Sequence, residues 1–174
     1  LEAVLTELEG GRFLSAAGRQ REARGLLRDL ARVLVPPADE LEALQQLVRE
    51  MEGLSARQDA TRSTTRQLSE KPADIASTAT TQAELVDDTD LVRGHVADWD
   101  VSAAEQVTAA LDRMQEARGL LENAPGEWRS RKLSAGTQQE LALARLNSAR
   151  QILQQRIDSL EKQRAAAGDP ASNL

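Results

Sequence analysis

Apolar side chains recur at alternating steps of three and four residues through most of this chain, and this spacing constrains its fold more than any other feature. Residues three and four apart lie on one face of an α-helix, so the pattern is the heptad seam of packed helices. The apolar residues are nearly all Leu, Ala and Val, and aromatic residues make up only 2%. Strands favour β-branched and aromatic residues. The sequence therefore predicts an all-α protein.

Glycine and proline residues interrupt the apolar pattern and divide it into five predicted helices. Proline stops one helix and suits the first turn of the next, and an Asn-Ala-Pro-Gly segment marks a turn. A short leading segment, 1–11, precedes the helices, and a disordered tail, 168–174, follows them. Short connections favour antiparallel neighbours, so we expect a single domain built as an antiparallel helical bundle or coiled coil. The predicted helices span residues 12–35, 37–69, 74–97, 102–123 and 137–167.

Polar residues at three helix starts predict N-terminal caps. Asp74 is the expected N-cap of the third helix, and Ser102 with Glu105 has the spacing of a capping box for the fourth. Thr137 is the expected cap of the last helix, with Gln139 or the next residue near its N3 position. The segment before Thr137 is predicted to be a loop.

Polar residues replace apolar ones at several seam positions of the second and third predicted helices. If the chain folds back near residue 71, Gln58 and Thr61 should lie near Gln82, and Thr65 near Thr78 or the residue before it. Such a layer specifies the register of the helices, or it forms a loosened seam that opens to receive a partner helix. The predicted polar seam comprises Gln58, Thr61, Thr65, Thr78, Gln82 and Thr89.

Part of the sequence resembles a group of bacterial coiled-coil proteins of the planctomycete type. The resemblance rests on Gln-x-x-Leu-x-x-x-Thr-like segments around Leu54–Gln58 and Thr81–Thr89, followed by Met-Gln-Glu-Ala-Arg at Met114–Arg118 and a closing Gln- and Leu-rich helix. It covers residues 44–163. It implies an envelope-associated scaffold, and it supplies no catalytic residues.

No residue pattern in the chain predicts catalysis or cofactor binding. The sequence has no Cys and a single His, His95, which excludes thiolate chemistry and cysteine-based zinc sites. A di-metal bundle needs Glu-x-x-His motifs, and Val92 occupies the position three before His95. Asp87, Asp88 and Asp90 are expected to form a solvated helix face, because the Gly-centred loop of a calcium site is missing. We expect a protein that is not an enzyme and has no cofactor or metal.

The charges limit the classes of partner. The net charge is −6, with acidic and basic residues mixed along the chain, which disfavours nucleic acid. No run of 18 apolar residues is present, so no transmembrane segment is predicted. The chain begins at Leu1, and we expect it to be a piece of a longer protein. Arg greatly outnumbers Lys, which indicates a GC-rich bacterial genome and therefore the cell envelope or cytoplasm of a bacterium.

Two tryptophans stand at predicted helix ends. Trp99 is expected to close one end of the core. Trp128 lies beside the only local cluster of basic residues, so it either packs at the other end or docks a partner at an acidic patch or membrane interface. The candidate docking residues are Trp128, Arg129, Arg131 and Lys132.

The sequence thus favours a structural or interaction protein, namely a coiled-coil scaffold or spacer in a larger assembly. It would bind a protein partner, or a second copy of itself, through its helical seams. The alternative is a bundle similar to exchangeable apolipoproteins, which opens and lays its apolar faces on a lipid surface.

Overall fold

The chain divides into two compact units, Leu1–Asp39 and Glu40–Leu174. In the first unit, the three described residues of the predicted helix 12–35 are helical. The rest of that helix and the leading segment 1–11 lie outside the described residues, as does the predicted tail beyond Gly168. The structure is a computed structural model that describes Ala23, Leu26, Leu27 and residues 39–122 and 127–168.

The second unit is a bundle of four helices. Each helix packs against two others: α1 and α3 both contact α2 and α4, which closes the ring. The all-α class is confirmed, and the described residues contain no strand. The predicted count of five helices is not matched, since the described residues form four long ones. These are α1 (Glu40–Gln67), α2 (Pro72–Ala97), α3 (Val101–Glu122) and α4 (Trp128–Ala166).

Polar contacts between neighbouring helices run in opposite directions along their sequences. Arg57 of α1 pairs with Asp88 of α2 at 2.6 Å. The first residue of α1, Glu40, pairs with Arg156 near the end of α4. Further along α1, Glu52 pairs with Arg150 and Arg66 pairs with Glu140. Because the partners on α4 fall in number as those on α1 rise, these two helices are antiparallel, as the short connections predicted.

The helices α2 and α3 do not begin at their predicted N-caps, Asp74 and Ser102. α2 begins at Pro72, with Lys71 at the N-cap position, because proline has its φ preset for the first helical turn and needs no N–H partner there. Asp74 therefore lies inside the first turn, where a carboxylate is favoured by the helix dipole. α3 is capped by Asp100, whose Oδ1 accepts a bond from the Ala103 amide at 2.9 Å. Ser102 is already helical.

The prediction of a loop before Thr137 was wrong, because α4 begins at Trp128. Gly136 suggested a break, since an interior glycine costs about 1 kcal/mol relative to Ala. Here Ala135 and Gly136 are buried against the bundle, and this tertiary packing offsets the cost. Thr137 is in the helix interior, with its hydroxyl bonded to the Leu133 carbonyl at 3.1 Å.

The helices differ in length. α4 has 39 residues and spans about 58 Å, whereas α3 has 22 residues and spans about 33 Å. The last buried residue of α4 is Ile157. The turns that follow are mostly exposed, so α4 extends past the core that the other helices share.

Candidate functional site

A layer of polar side chains crosses the core of the bundle toward the end where α4 begins. Gln58 of α1, Gln82 of α2 and Gln139 of α4 are each 0% exposed. A polar group buried this completely costs free energy unless it is hydrogen-bonded. The partners of these three amides therefore decide whether the layer stabilises the fold.

The three glutamines form one hydrogen-bonded network. Gln82 Nε2 donates to Gln58 Oε1 at 3.0 Å, and Gln58 Nε2 donates back to Gln82 Oε1 at 3.4 Å. Gln139 Nε2 donates to Gln82 Oε1 and to Thr65 Oγ1, both at 2.9 Å. The network therefore connects α1, α2 and α4, and we name Gln58, Thr65, Gln82 and Gln139 the polar layer.

The six residues predicted for the polar seam are all buried, but only two of their four threonines, Thr65 and Thr89, make one of the described hydrogen bonds to another helix. Thr61, Thr65 and Thr78 donate their hydroxyls to the carbonyls four residues earlier in their own helices. Thr89 Oγ1 lies 3.6 Å from Met114 Sδ of α3. Thr65 was predicted to lie near Thr78 or the residue before it. Its cross-helix hydrogen bond is instead accepted from Gln139 of α4.

Gln139 is the member of the layer that the sequence reasoning missed. The residue was interpreted as part of a helix cap, because α4 was expected to begin at Thr137. Its spacing to the seam contained the correct signal: Gln139, Ala142, Leu146 and Ala149 follow the heptad steps of four and three, and all four are buried. Gln139 Oε1 has no hydrogen-bond partner in the structure.

The polar layer separates two apolar clusters. The large cluster fills the bundle on one side of the layer and includes Leu44, Met114 and Leu146. The small cluster lies on the other side, with Leu120 and Trp128 packed against it. Two of its four buried members are alanines, so it supplies little apolar area to hold that end together. The small cluster comprises Leu68, Ala79, Leu121 and Ala135.

Three of the four predicted docking residues make contacts within the bundle. Trp128 is half-buried against the small cluster, which matches its predicted alternative role of packing at a bundle end. The Arg131 guanidinium lies 5.5 Å from the centre of the Trp128 ring, a cation–π contact. Lys132 Nζ donates to the Leu68 carbonyl at 3.0 Å. Arg129 is exposed.

Lys132 satisfies carbonyls at the C-terminal end of α1. Its Nζ also lies 3.5 Å from the Arg66 carbonyl, and a cation there is favoured by the helix dipole. We expect Lys132→Met, which keeps the apolar stem, to lower the free energy of unfolding by about 1 kcal/mol in urea titrations. The matched variant Lys162→Met, at an exposed position of the same helix, should change it by less than about 0.5 kcal/mol. Equal effects of the two variants would show that the carbonyl contacts do not stabilise α1.

A groove between α1 and α4 is lined by three of the basic residues at this end. Three cations line it, against one carboxylate, Glu140, which pairs with Arg66 at 3.1 Å and with Arg62 at 3.4 Å. Leu133 projects from the groove with 66% of its surface exposed. The groove has a volume of about 360 Å³, and we name it the basic groove; it is lined by Arg66, Arg129, Lys132, Leu133, Gly136, Thr137 and Glu140.

A second, larger groove of about 600 Å³ lies between α2, α3 and the start of α4. Its apolar lining includes Ile75, Leu121 and Trp128, and its charged lining comprises Glu70, Glu122 and Arg131. The two grooves place both apolar and charged surface at the end of the bundle that holds the small cluster.

The remaining predicted features lie away from this end. Trp99 packs against the large cluster, as expected. His95 is half-buried in the last turn of α2. Within the predicted acidic face, Asp90 pairs with Arg93 at 2.9 Å and Asp88 pairs across to α1. Over the described ranges, no three His, Asp or Glu side chains are grouped so that they could hold a metal ion.

Comparisons with protein-family models, with curated proteins and with solved structures give no match. None of the four described helices is long and apolar enough to cross a membrane.

Proposed function

We propose that this chain is a structural interaction module: a helical bundle that acts as a scaffold or spacer in a larger protein assembly and binds its partner at the basic groove. The observation that supports it is the 66% exposed Leu133 next to Arg129 and Arg66. Exposed apolar surface bordered by polar residues marks interaction sites, and arginine is enriched in protein interfaces.

The proposed docking surface differs from the predicted cluster. Trp128, Arg131 and Lys132 are used in packing, stacking and capping, so substituting them would disturb the bundle itself. Arg129 and Leu133 project outward, and substituting them removes binding groups without removing core contacts. The role of the polar layer in setting helix register remains part of the proposal. The bacterial envelope location that the planctomycete-type resemblance implies is also part of the proposal.

A lipid-surface function is the second candidate, since a bundle closed through a partly polar seam has less apolar contact to lose on opening. Opening would, however, turn the amides of Gln58, Gln82 and Gln139 toward the hydrocarbon, where unpaired polar groups are costly. Helicity and sedimentation measured with anionic vesicles decide this point. A gain in helicity with co-sedimentation would favour the lipid function over the scaffold.

The scaffold proposal is tested by partner capture with charge-reversed chains. We expect the Arg66→Glu/Arg129→Glu variant to capture at least about tenfold less protein from native bacterial extract than the native chain does, because two favourable charge pairs become repulsive. The control Arg49→Glu/Lys162→Glu makes the same charge change at two exposed positions outside the groove.

The captured protein is then identified and its affinity remeasured with purified components. Equal capture by both double variants would show that the basic groove is not the docking surface. Absence of any specific partner or self-association would overturn the scaffold function.

A further inference from the structure

The start of α4 carries a second stripe of residues at heptad spacing, in addition to the stripe that enters the core. Its members follow one another at steps of four, three and four, and at 3.6 residues per turn they lie within about 60° of the helix circumference. Such spacing is that of a seam which packs against another helix. All four residues line the basic groove, and none belongs to either apolar cluster. We name Arg129, Leu133, Gly136 and Glu140 the outer stripe.

The middle of the outer stripe leaves space for the side chain of a partner. Although Gly136 itself is buried, no other described atom lies within 4 Å of the point where a Cβ would stand, apart from those of its chain neighbours and of the adjacent helix backbone. Leu133, on the same stripe, is 66% exposed. A glycine weakens a helix interior, and the bundle has room for an alanine here. The glycine therefore keeps the basic groove open beside an exposed apolar side chain.

Positive charge exceeds negative charge around this space. Three cations and one carboxylate line the basic groove, a net charge of +2 (three minus one). The carboxylate of Glu140 is shared, since it pairs with Arg62 as well as with Arg66. Arg66 and Glu140 are both more than half exposed, and such surface pairs contribute little, so Arg66 can exchange its partner at low cost. An incoming carboxylate therefore meets a surplus of cations.

We propose that the partner at the basic groove is an amphipathic helix that carries one large apolar side chain between acidic residues. The apolar side chain fills the space over Gly136 and covers Leu133. Carboxylates about one turn to either side of it meet Arg129 at one end of the outer stripe and Arg66, beside Glu140, at the other. The stripe is about 16 Å long, which matches three turns of a helix. The inference rests on the proposed scaffold function and names the class of partner at the same site.

Labelled peptides of about 18 residues test this chemistry by fluorescence anisotropy with the purified full chain, since much shorter helices are marginal in water. The first peptide has a central Leu with Glu one turn before and after it, in a frame of Ala and Gln. The second carries Lys in place of Glu, and the third carries Ala in place of the central Leu. We expect the second and third to bind at least about tenfold more weakly than the first, because one loses the charge pairs and the other loses the apolar contact.

Gly136→Ala separates the effect on the groove from the effect on the bundle. The added methyl group fits the bundle and improves helix propensity, so the midpoint of urea unfolding should rise. The same group occupies the space for the partner's side chain, so the dissociation constant of the first peptide should rise about fivefold or more. The control is Gly119→Ala, at an exposed position of α3 where a Cβ also has open space. It should raise the midpoint and leave the dissociation constant unchanged.

The inference is overturned if the first peptide does not bind, if it binds no more tightly than either of the others, or if Gly136→Ala leaves its dissociation constant unchanged. A lower urea midpoint for Gly136→Ala would also overturn it, because the bundle itself would then use the space over the glycine. Partner capture that falls in Arg66→Glu/Arg129→Glu, while no peptide binds, would retain the scaffold function and reject this class of partner.

Discussion

Gln82→Leu is expected to lower the free energy of unfolding by about 2–4 kcal/mol, although leucine is the more apolar residue and similar in size. Gln82 is the centre of the polar layer: its Nε2 donates to Gln58, and its Oε1 accepts from both Gln58 and Gln139. Its removal leaves those neighbours buried with unpaired groups. Urea unfolding followed by circular dichroism measures the loss.

The control for this variant is the triple substitution of Gln58, Gln82 and Gln139 by Leu. Replacing all members of a buried polar network by apolar groups is often neutral or stabilising, because no unpaired group remains. The triple variant should therefore be at least as stable as the native chain. If the triple variant instead loses as much unfolding free energy as the three single Gln→Leu variants added together, the amides contribute independently.

The triple variant also tests the role of the layer in register. If the amides specify one pairing of helices, the all-leucine core should be stable but less uniquely packed. Broader amide and methyl signals in NMR spectra, at undiminished helicity, are the expected evidence. Spectra as sharp as those of the native chain would show that the apolar clusters alone define the register.

Leu146→Ala is expected to destabilise the whole second unit by about 2–5 kcal/mol, because it opens a cavity in the large cluster. Leu146 is 0% exposed and belongs to that cluster. Both the urea midpoint and the hydrogen-exchange protection of amides throughout the four helices should fall.

The matched variant Leu121→Ala removes the same atoms from the small cluster, where Leu121 is 1% exposed. Because the polar layer separates the clusters, we expect exchange to accelerate mainly at the end where α4 begins, through local opening. Protection around Leu146 should change much less. Equal acceleration along all four helices would show that the layer does not separate the clusters energetically.

Much of the fold was accessible from the sequence because its elements are long and strongly periodic. Helix type follows from apolar spacing, and the three-four steps from Leu44 to Leu54 placed the buried face of α1 correctly. The prolines and the residues around Trp99 also located the connections. These are local signals, which depend on nearby residues alone.

The errors arose where tertiary contacts outweigh local signals. Gly136 has low helix propensity, and Thr137 is a good cap, so the pair suggested a helix start. Burial of Ala135 and Gly136 against the bundle decided the outcome instead. Because Gln139 was assigned to a helix cap, it was not recognised as a core residue. The contribution of α4 to the polar layer was therefore missed.

The basic groove could not be predicted for a different reason. Arg66 and Arg129 are far apart in sequence, and they meet because the end of α1 lies beside the start of α4. The local charge pattern of the sequence contains Arg129 next to Trp128, but only the antiparallel pairing of the helices adds Arg66. Long-range proximity of this kind requires the folded arrangement.

The polar layer draws on three helices, and α3 contributes no polar group to it, since every buried residue of α3 is apolar. The two kinds of helix should therefore diverge differently during evolution. Buried positions of α3 can exchange one apolar residue for another of similar volume at a cost below about 1.5 kcal/mol. Positions 58 and 139 are instead tied to position 82, because changing Gln82 removes both bonds of Gln58 to it and leaves Gln139 with only its bond to Thr65. Related sequences should show these three positions substituted together, as a covarying triplet on three helices. The buried positions of α3 should instead vary independently among apolar residues.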